Sequence, residues 1–283
     1  MFDHYLITRF NLKNPNWGLT KNNEAILDEK WMEERMVLFE NYCLSSIIHQ
    51  TNSNFRWLIF LDTTTSDFYK AKIAGLLDSH SHIVPIYING MALFHESLNH
   101  YIQQNSNTVP YLITSMIDND DCLHKNYIQE VQNQFDKQDF LAIDFINGYT
   151  LQIEPEMILG KKDHIFNPFI SLIEKNENPK TVWFYDHHIW KKESRIKSIY
   201  GNRLWMSVIH GKNKVNEFDG YGDNNWEAIS KDFVVSDAFR EKIKTQLLPF
   251  SQWKSKSFKN YWYVKMVWFS KVAKKSIGVY RFK

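Results

Sequence analysis

The chain has few cysteines and no long apolar segment, and both shortages limit what it can be. Its only cysteines among 283 residues are Cys43 and Cys122, which lie far apart in the sequence. Two such residues provide neither a disulfide framework nor a Cys-rich zinc site, which is typical of a reducing cytoplasm. No run of about 18 apolar residues occurs, so the sequence predicts no transmembrane helix. Because no basic segment leads into an apolar stretch at the N-terminus, we expect no signal peptide and a cytoplasmic location.

Two glycine-rich phosphate motifs are also missing. There is no G-x-G-x-x-G after the first predicted strand, and G-x-x-x-x-G-K-[ST] does not occur anywhere in the chain. These motifs bring backbone N–H groups against the phosphates of dinucleotides and nucleoside triphosphates. Their absence disfavours a dinucleotide-binding protein and a P-loop NTPase.

Acidic residues are missing from the end of the chain. After Glu241 the sequence has eleven lysines and arginines and no acid, and aromatic residues alternate with lysines over Trp253–Lys275. A basic, aromatic helix of this kind can lie on the anionic inner face of the plasma membrane as a peripheral contact. The alternatives are a core helix with solvated lysines and a nucleic-acid contact. Nothing else in the chain resembles a nucleic-acid module, so we expect no nucleic-acid partner.

The first half alternates between buried strands and amphipathic helices. The predicted strands are His4–Phe10, Phe55–Leu61, His82–Ile88 and the apolar run from Tyr111 to Ile117. The predicted helices are Asp28–Gln50, Ser66–Leu77, Leu93–Gln104 and Asn126–Phe135, and a polar loop is predicted over Asn11–Asn23. This order predicts an α/β fold with a doubly wound, mostly parallel sheet. Pro85 predicts an edge or irregular position for its strand.

The pattern changes after residue 140. Phe140–Phe145 and Tyr149–Ile153 are predicted to form a hairpin around Asn147-Gly148, and Thr181–Tyr185 and Leu204–Ile209 are further short strands. We expect this half to complete the sheet as a C-terminal extension that supplies acceptor-side residues. The predicted division is a domain over residues 1–240 and a basic aromatic tail over residues 241–283.

An acidic cluster follows the strand that begins at Tyr111. Asp118, Asp120 and Asp121 lie within four residues at the carboxyl end of this apolar run. Because unpaired charges are costly to bury, we expect them to emerge at the sheet edge, where open α/β sheets hold ligands. Oxygen ligands suit Mg²⁺ or Mn²⁺, so the cluster suggests a metal site for a diphosphate substrate. Alternatively, Asp121 caps a following helix, and both interpretations can hold together.

Two other strands end in polar residues at the same predicted edge. Arg9 follows the first strand and Asp62 follows the second, so both are expected to share a pocket with Asp118. The alternatives are a surface salt bridge for Arg9 and a turn-initiating aspartate for Asp62, which precedes three threonines.

Six segments together resemble one known family. They are I-T-R-F at 7–10, F-E-N-Y-C-L-S-S-I at 39–47, F-R-W-L-I-F-L-D at 55–62, I-D-N-D-D at 117–121, Q-D-F-L-A-I-D-F-I-N-G-Y at 138–149 and R-L-W-M-S-V-I-H-G at 203–211. In this order they resemble the bacterial putative rhamnosyltransferase family, a branch of the GT-A-type glycosyltransferases. The resemblance covers roughly residues 4–215.

The resemblance implies a transferase that uses a nucleotide sugar. Asp118-Asn119-Asp120 matches the D-x-D motif, which holds Mn²⁺ or Mg²⁺ against the donor diphosphate, and His210 matches a late histidine that completes the metal site. Donor contacts are implied for Thr8 and Arg9 after the first strand and for Asp62 after the second. The chain departs from the family pattern at Met116, where an arginine is expected before I-D-N-D-D.

A transferase that inverts the sugar also needs a base for the acceptor hydroxyl. Asp186 is the first candidate because it follows the apolar run W-F-Y, and His187 or His188 can serve instead. The alternative is a polar loop without a catalytic part. For His210 the corresponding alternative is a core or turn histidine.

The sequence therefore predicts a metal-dependent glycosyltransferase. Its donor is expected to be a nucleoside-diphosphate sugar, with rhamnose implied by the resemblance, and its acceptor a cell-surface glycan or lipid-linked glycan. Two alternatives remain. One is a metal-dependent phosphodiesterase or nucleotide hydrolase, and the other is a non-catalytic nucleotide-binding protein of the same fold, which Met116 favours.

Overall fold

The computed structural model describes residues 1–14, 28–211, 213 and 217–282. Its central feature is a seven-stranded sheet in which β9 alone runs antiparallel to its neighbours. In spatial order the strands are β10 (Ile196–Ile199), β6 (Phe140–Phe145), β9 (Ser171–Lys175), β4 (Tyr111–Met116), β1 (Phe2–Arg9), β2 (Arg56–Asp62) and β3 (Ile83–Ile88). The prediction of a mostly parallel sheet is confirmed, as is the edge position of the strand that contains Pro85.

Apolar side chains of this sheet alternate between two cores. Along β1, Leu6 packs into one cluster, while Tyr5 and Ile7 pack into the cluster on the opposite face. Strand residues point alternately to the two faces, so a sheet with helices on both sides needs apolar residues at consecutive positions. The doubly wound arrangement follows from this pattern.

The helices largely match the predicted segments. They are α1 (Glu29–Leu38), α2 (Ser45–Ile48), α3 (Asp67–Leu77), α4 (Phe94–Asn105), α5 (Tyr127–Gln132), α6 (Trp226–Ile229), α7 (Asp237–Gln246) and α8 (Phe250–Ser276). A π-helical turn, Phe39–Leu44, joins α1 to α2. The predicted boundary after residue 240 falls inside α7, and the predicted loop over 11–23 extends beyond the described residues.

The prediction of a hairpin over Phe140–Ile153 is wrong, because its second strand belongs to a second sheet. This sheet has the order β5 (Cys122–Leu123), β11 (Trp205–Ile209), β7 (Asn147–Gln152) and β8 (Ile158–Asp163). Because β6 belongs to the first sheet and β7 to the second, the two strands do not pair. Gly148 lies within β7, where a Cβ atom would approach the Trp205 ring to 2.2 Å. The glycine permits close packing of this indole rather than a turn.

The strand predicted over Thr181–Tyr185 is also wrong, because Val182–Phe184 forms a 3₁₀ turn. The carboxylate of Glu174 accepts hydrogen bonds from the backbone N–H groups of Lys180 and Thr181, both at 2.8 Å. The Val182 N–H donates to Thr114 Oγ1 at 2.8 Å. These side-chain acceptors take the places of strand partners and hold the segment in a tight turn.

Candidate functional site

The acidic segment leaves β4 at the carboxyl edge of the first sheet, as predicted, but only one of its three aspartates is exposed. Asp118 is exposed, whereas Asp120 and Asp121 are buried. The expectation that all three carboxylates emerge from the protein is therefore wrong. Partial desolvation at the sheet edge and the charge of the nearby Asp120 raise the pKa of Asp118, although Arg9 and His187 act in the opposite direction.

Asp120 lies between a guanidinium and an imidazole. Its carboxylate forms an ion pair with Arg35, and its Oδ2 atom is 2.9 Å from Nε2 of His210. Burial favours the neutral acid, but Arg35 and His210 outweigh burial and lower the pKa of Asp120 below its ordinary value. A buried carboxylate with such partners stays ionised at neutral pH.

Asp121 connects the two sheets and does not cap a helix. Its Oδ1 atom accepts a hydrogen bond from the backbone N–H of Val208 in β11 at 2.9 Å. The residues that follow it form β5, and the next helix, α5, begins at Tyr127. The predicted cap is therefore wrong, because Cys122-Leu123 pairs with β11 instead of starting a helix. Burial and the two neighbouring aspartates raise the pKa of Asp121 well above its ordinary value.

Arg35 of α1, which no sequence motif singled out, holds the acidic segment in place. Its Nη1 atom donates to Asn119 Oδ1 at 3.2 Å as well as to Asp120, and its guanidinium lies over the Trp31 ring at 4.9 Å. The Asn119 amide in turn donates to the carbonyl of Phe10 at 3.0 Å. The only sequence signal was an arginine one turn after a tryptophan on a predicted helix.

Arg9 lies at the end of β1 on an aromatic surface. Its guanidinium carbon is 3.8 Å from the centroid of the Trp183 ring and 5.8 Å from that of Phe94. Burial lowers the pKa of Arg9, while the carboxylates of Asp118 and Asp186 act to raise it. Arg9 is therefore within electrostatic range of both the metal-binding candidate Asp118 and the base candidate Asp186.

The side chains of Thr8 and Asp62 form hydrogen bonds with neighbouring parts of the fold. Thr8 is fully buried, donates to the Ile117 carbonyl and accepts from the Trp57 indole, each at 2.9 Å. This placement leaves Thr8 no side-chain surface for a nucleotide and counts against its predicted donor contact. Asp62 accepts from the backbone N–H groups of Lys13 and Gly90 and from both the N–H and the hydroxyl of Thr64. These four hydrogen bonds match the turn-initiating alternative.

The base candidates lie at the start of the 3₁₀ turn His187–Lys192, which Asp186 directly precedes. Asp186, His187 and His188 are exposed. Partial desolvation by neighbouring residues lowers the pKa of His187, although the charge of Asp118 acts to raise it. The structure thus brings His187 into the electrostatic range of the acidic segment, over a sequence separation of about 70 residues. His188 contacts the ring of His187 edge-on.

The donor types at this site suit a divalent cation. Asp120 and His210 meet directly, and Asp118 is exposed on the same segment. Mn²⁺ binds both carboxylate oxygens and an imidazole nitrogen, whereas Mg²⁺ prefers the oxygens. Within the described ranges, no three His, Cys, Asp or Glu side chains already surround one point. Two of the three predicted ligands therefore adjoin, with Arg35 beside them as a counter-charge.

A cavity of about 680 Å³ opens beside His210. Its polar lining comes from the ends of β7 and β11, the loop after β11 and α8, namely Gln152, Glu154, His210, Glu217 and Lys256. The β7 and β11 strands run parallel, so their carboxyl ends place Glu154 and His210 side by side. The site therefore has open space on the side that faces the second sheet.

Comparison with known proteins assigns this chain to a family of sugar transferases. The family described as "Putative rhamnosyl transferase" matches residues 3–220, which is more than half of the chain. The chain belongs to this family, and the resemblance stated from its motifs is confirmed. No curated protein matches the chain.

Solved structures with a similar fold are distant in sequence. Residues 1–349 of TarS from S. aureus share 9% identity at a TM-score of 0.43, over 73% of this chain and 60% of that one. The same TarS fragment in complex with UDP-GlcNAc gives 10% identity and a TM-score of 0.42, over 85% and 70% of the two chains. An inositol-1-phosphate CTP transferase from T. maritima gives 11% identity and a TM-score of 0.36, over 87% and 98%. The chain spans 42% of the longer TarS structure.

Proposed function

We propose that this protein transfers rhamnose from a nucleoside-diphosphate sugar to a hydroxyl group of a cell-surface glycan. The observation that carries the proposal is the meeting of Asp120 with Arg35 and His210 at the sheet edge. Three chain segments, α1, the end of β4 and the end of β11, deliver these charges to one place. Such a cluster suits the diphosphate that the sugar leaves behind.

The donor diphosphate lies, in this proposal, between the acidic segment and Arg9. A divalent cation held by Asp118, Asp120 and His210 supplies positive charge to the departing phosphates when it is bound. Arg9 adds a permanent charge, and its stacking on Trp183 fixes the plane of the guanidinium. Asp62 acts on this site through the loops that it ties together, and Thr8 has no part in donor binding.

A side chain of the segment that carries Asp186 and His187 accepts the proton of the acceptor hydroxyl. The lowered pKa of His187 keeps its imidazole neutral at physiological pH, and a neutral imidazole can accept a proton. Asp186 shares the loop and is the alternative base. The cavity beside His210 suits a glycan, because Gln152, Glu154 and Glu217 present acceptors for sugar hydroxyls. A lipid-linked glycan on the cytoplasmic leaflet would meet the protein at its peripheral membrane contact.

Donor binding and sugar release together test the proposal. A panel of nucleotide sugars is screened for Mn²⁺-dependent thermal stabilisation, where saturation at 100 times Kd adds about 2.7 kcal/mol. Products are then identified by chromatography with the wild type, Asp120→Ala and Asp67→Ala. Asp67 is an exposed aspartate on α3 and serves as the matched control.

We expect the wild type and Asp67→Ala to release or transfer the sugar and Asp120→Ala to be inactive. Cleavage between the phosphates would establish the nucleotide hydrolase instead. Binding without turnover in the wild type, with soluble and lipid-linked acceptors, would establish the non-catalytic alternative.

A further inference from the structure

The outward face of α8 carries a continuous apolar stripe. Its members are Phe258, Trp262, Met266 and Phe269, with exposed fractions of 66%, 55%, 66% and 68%. Steps of four, four and three residues place all of them on one side of the helix. Contiguous large apolar side chains at the surface mark an interaction site, whereas single ones need no explanation.

The opposite face of α8 fixes the direction of this stripe. Trp253, Ser257 and Val264 are buried against the protein. Lys265 Nζ lies 3.0 Å from Asp163 Oδ2, and Lys271 Nζ donates to the Ile165 carbonyl at 3.0 Å. Because the helix is held along its inner side, the stripe points away from the protein.

Charge around the stripe selects the partner. Exposed lysines flank it, namely Lys254 and Lys259, and the sequence has no acidic residue after Glu241 to offset them. A second copy of the chain on this face would bring the same lysines together and repel. A surface that is both anionic and apolar at its boundary satisfies the stripe and the lysines together, and an anionic lipid bilayer is such a surface.

We propose that α8 docks lengthwise on an anionic bilayer, with the stripe at the acyl boundary and the flanking lysines at the headgroups. Among the described helices none combines the length and hydropathy needed to cross a membrane. The contact is therefore peripheral, along the plane of the membrane.

The same helix holds the loop that carries the base candidates. Lys275 Nζ donates to the carbonyls of Lys191 and Glu193, which end the 3₁₀ turn after Asp186 and His187. Beyond α8, Phe282 stacks on Tyr185, with ring centroids 5.2 Å apart. The docking helix and this loop thus form one packed unit. Resting on the proposed function, this geometry identifies the acceptor class as a lipid-linked glycan, presented to the loop at the bilayer surface.

Vesicle sedimentation with the full chain tests the docking without donor or turnover. The probes are phosphatidylcholine vesicles with and without phosphatidylglycerol. The variants are Trp262→Ser/Phe269→Ser and the control Phe68→Ser, which removes a ring that is 70% exposed on α3. We expect preferential binding to anionic vesicles, at least a tenfold loss of partitioning in the stripe variant, and no change in the control. Salt of about 0.5 M should weaken the binding through screening.

Three results would overturn the docking proposal. They are equal binding to both vesicle types, unchanged binding by the stripe variant, and a dimer in solution that Trp262→Ser/Phe269→Ser dissociates. Because sedimentation requires no nucleotide sugar, it can succeed while sugar transfer fails, or the reverse. A separate assay compares transfer to lipid-linked and water-soluble acceptors. Equal rates would reject the lipid-linked glycan as the acceptor class and would leave the docking proposal unaffected.

Discussion

Two aspartate-bearing loops lie at the same sheet edge and use their carboxylates differently. Asp62, after β2, accepts hydrogen bonds from backbone and hydroxyl groups of the adjacent loops. Asp120, after β4, instead meets the charged or chargeable side chains of Arg35 and His210. Backbone donors belong to the loop and cannot be exchanged, whereas a guanidinium can yield its position to another cation. Position at a strand end does not separate a structural carboxylate from a functional one, but the kind of partner does.

The largest expected difference between the two loops is in turnover. Asp120→Asn should lower kcat/KM for sugar transfer by at least about 10²-fold, because a neutral amide no longer balances the cations around the diphosphate. Asp62→Asn should leave kcat within a few-fold of the wild type. Steady-state kinetics of both variants at matched folded fractions provides the measurement. Similar losses of kcat in both would erase the distinction.

A second difference is expected in stability. Asp62→Ala leaves the N–H groups of Lys13 and Gly90 without their acceptor, so we expect a loss of about 2 kcal/mol in the free energy of unfolding. Urea denaturation measures this loss, with Asp67→Ala as the exposed control. If Asp62→Ala unfolds at the wild-type urea concentration, its hydrogen bonds do not stabilise the loops.

Arg35 tests whether the partner of Asp120 can be exchanged. Arg35→Ala removes a positive charge beside the Asp120 carboxylate, so Mn²⁺ should bind about tenfold more tightly, which corresponds to about 1.4 kcal/mol. Isothermal titration calorimetry without donor measures the affinity, and exposed Arg56→Ala serves as the control. Weaker Mn²⁺ binding would show that Arg35 orients Asp120 for the metal instead of competing with it.

The last prediction concerns acid sensitivity away from both loops. Burial lowers the pKa of His4 to about 3, so the folded protein leaves this imidazole unprotonated while the unfolded chain protonates it below about pH 6.5. Stability should therefore fall as the pH decreases from 6.5 towards 3, by up to about 1.4 kcal/mol per pH unit from this group. His4→Gln should flatten the pH dependence of the urea midpoint by this amount. An unchanged slope would assign the acid sensitivity to other groups.

The sequence was sufficient for the first sheet and the location of its acidic segment. Consecutive apolar residues in β1, β2 and β4 can be buried only in a sheet covered on both faces, and parallel strands bring their carboxyl ends together. Local pattern could not show that the chain changes sheets at Ile146, between β6 and β7. The Asn147-Gly148 pair has the composition of a turn, but its conformation depends on the distant Trp205 ring.

The site was predictable where residues follow strands and not where they depend on packing. Asp118 and Arg9 lie at strand ends and could be placed from the order of the elements. Arg35 lies in the middle of a helix, and its approach to Asp120 depends on how α1 packs across the sheet edge. The burial of Asp121 depends on its bond to Val208, a residue 87 positions later in the chain.

The π-helical turn between α1 and α2 makes one helical segment contact two sides of the acidic loop. Before the turn, Arg35 contacts Asp120; within and after it, Cys43 donates to the Asp118 carbonyl and Ser46 accepts from the Leu123 N–H. An α-helix rotates by about 100° per residue, so removing one residue from Phe39–Leu44 would swing Arg35 away from its carboxylate while Ser46 stayed in place. The number of residues in this segment is thus as strict a requirement for an assembled site as the identity of its charges.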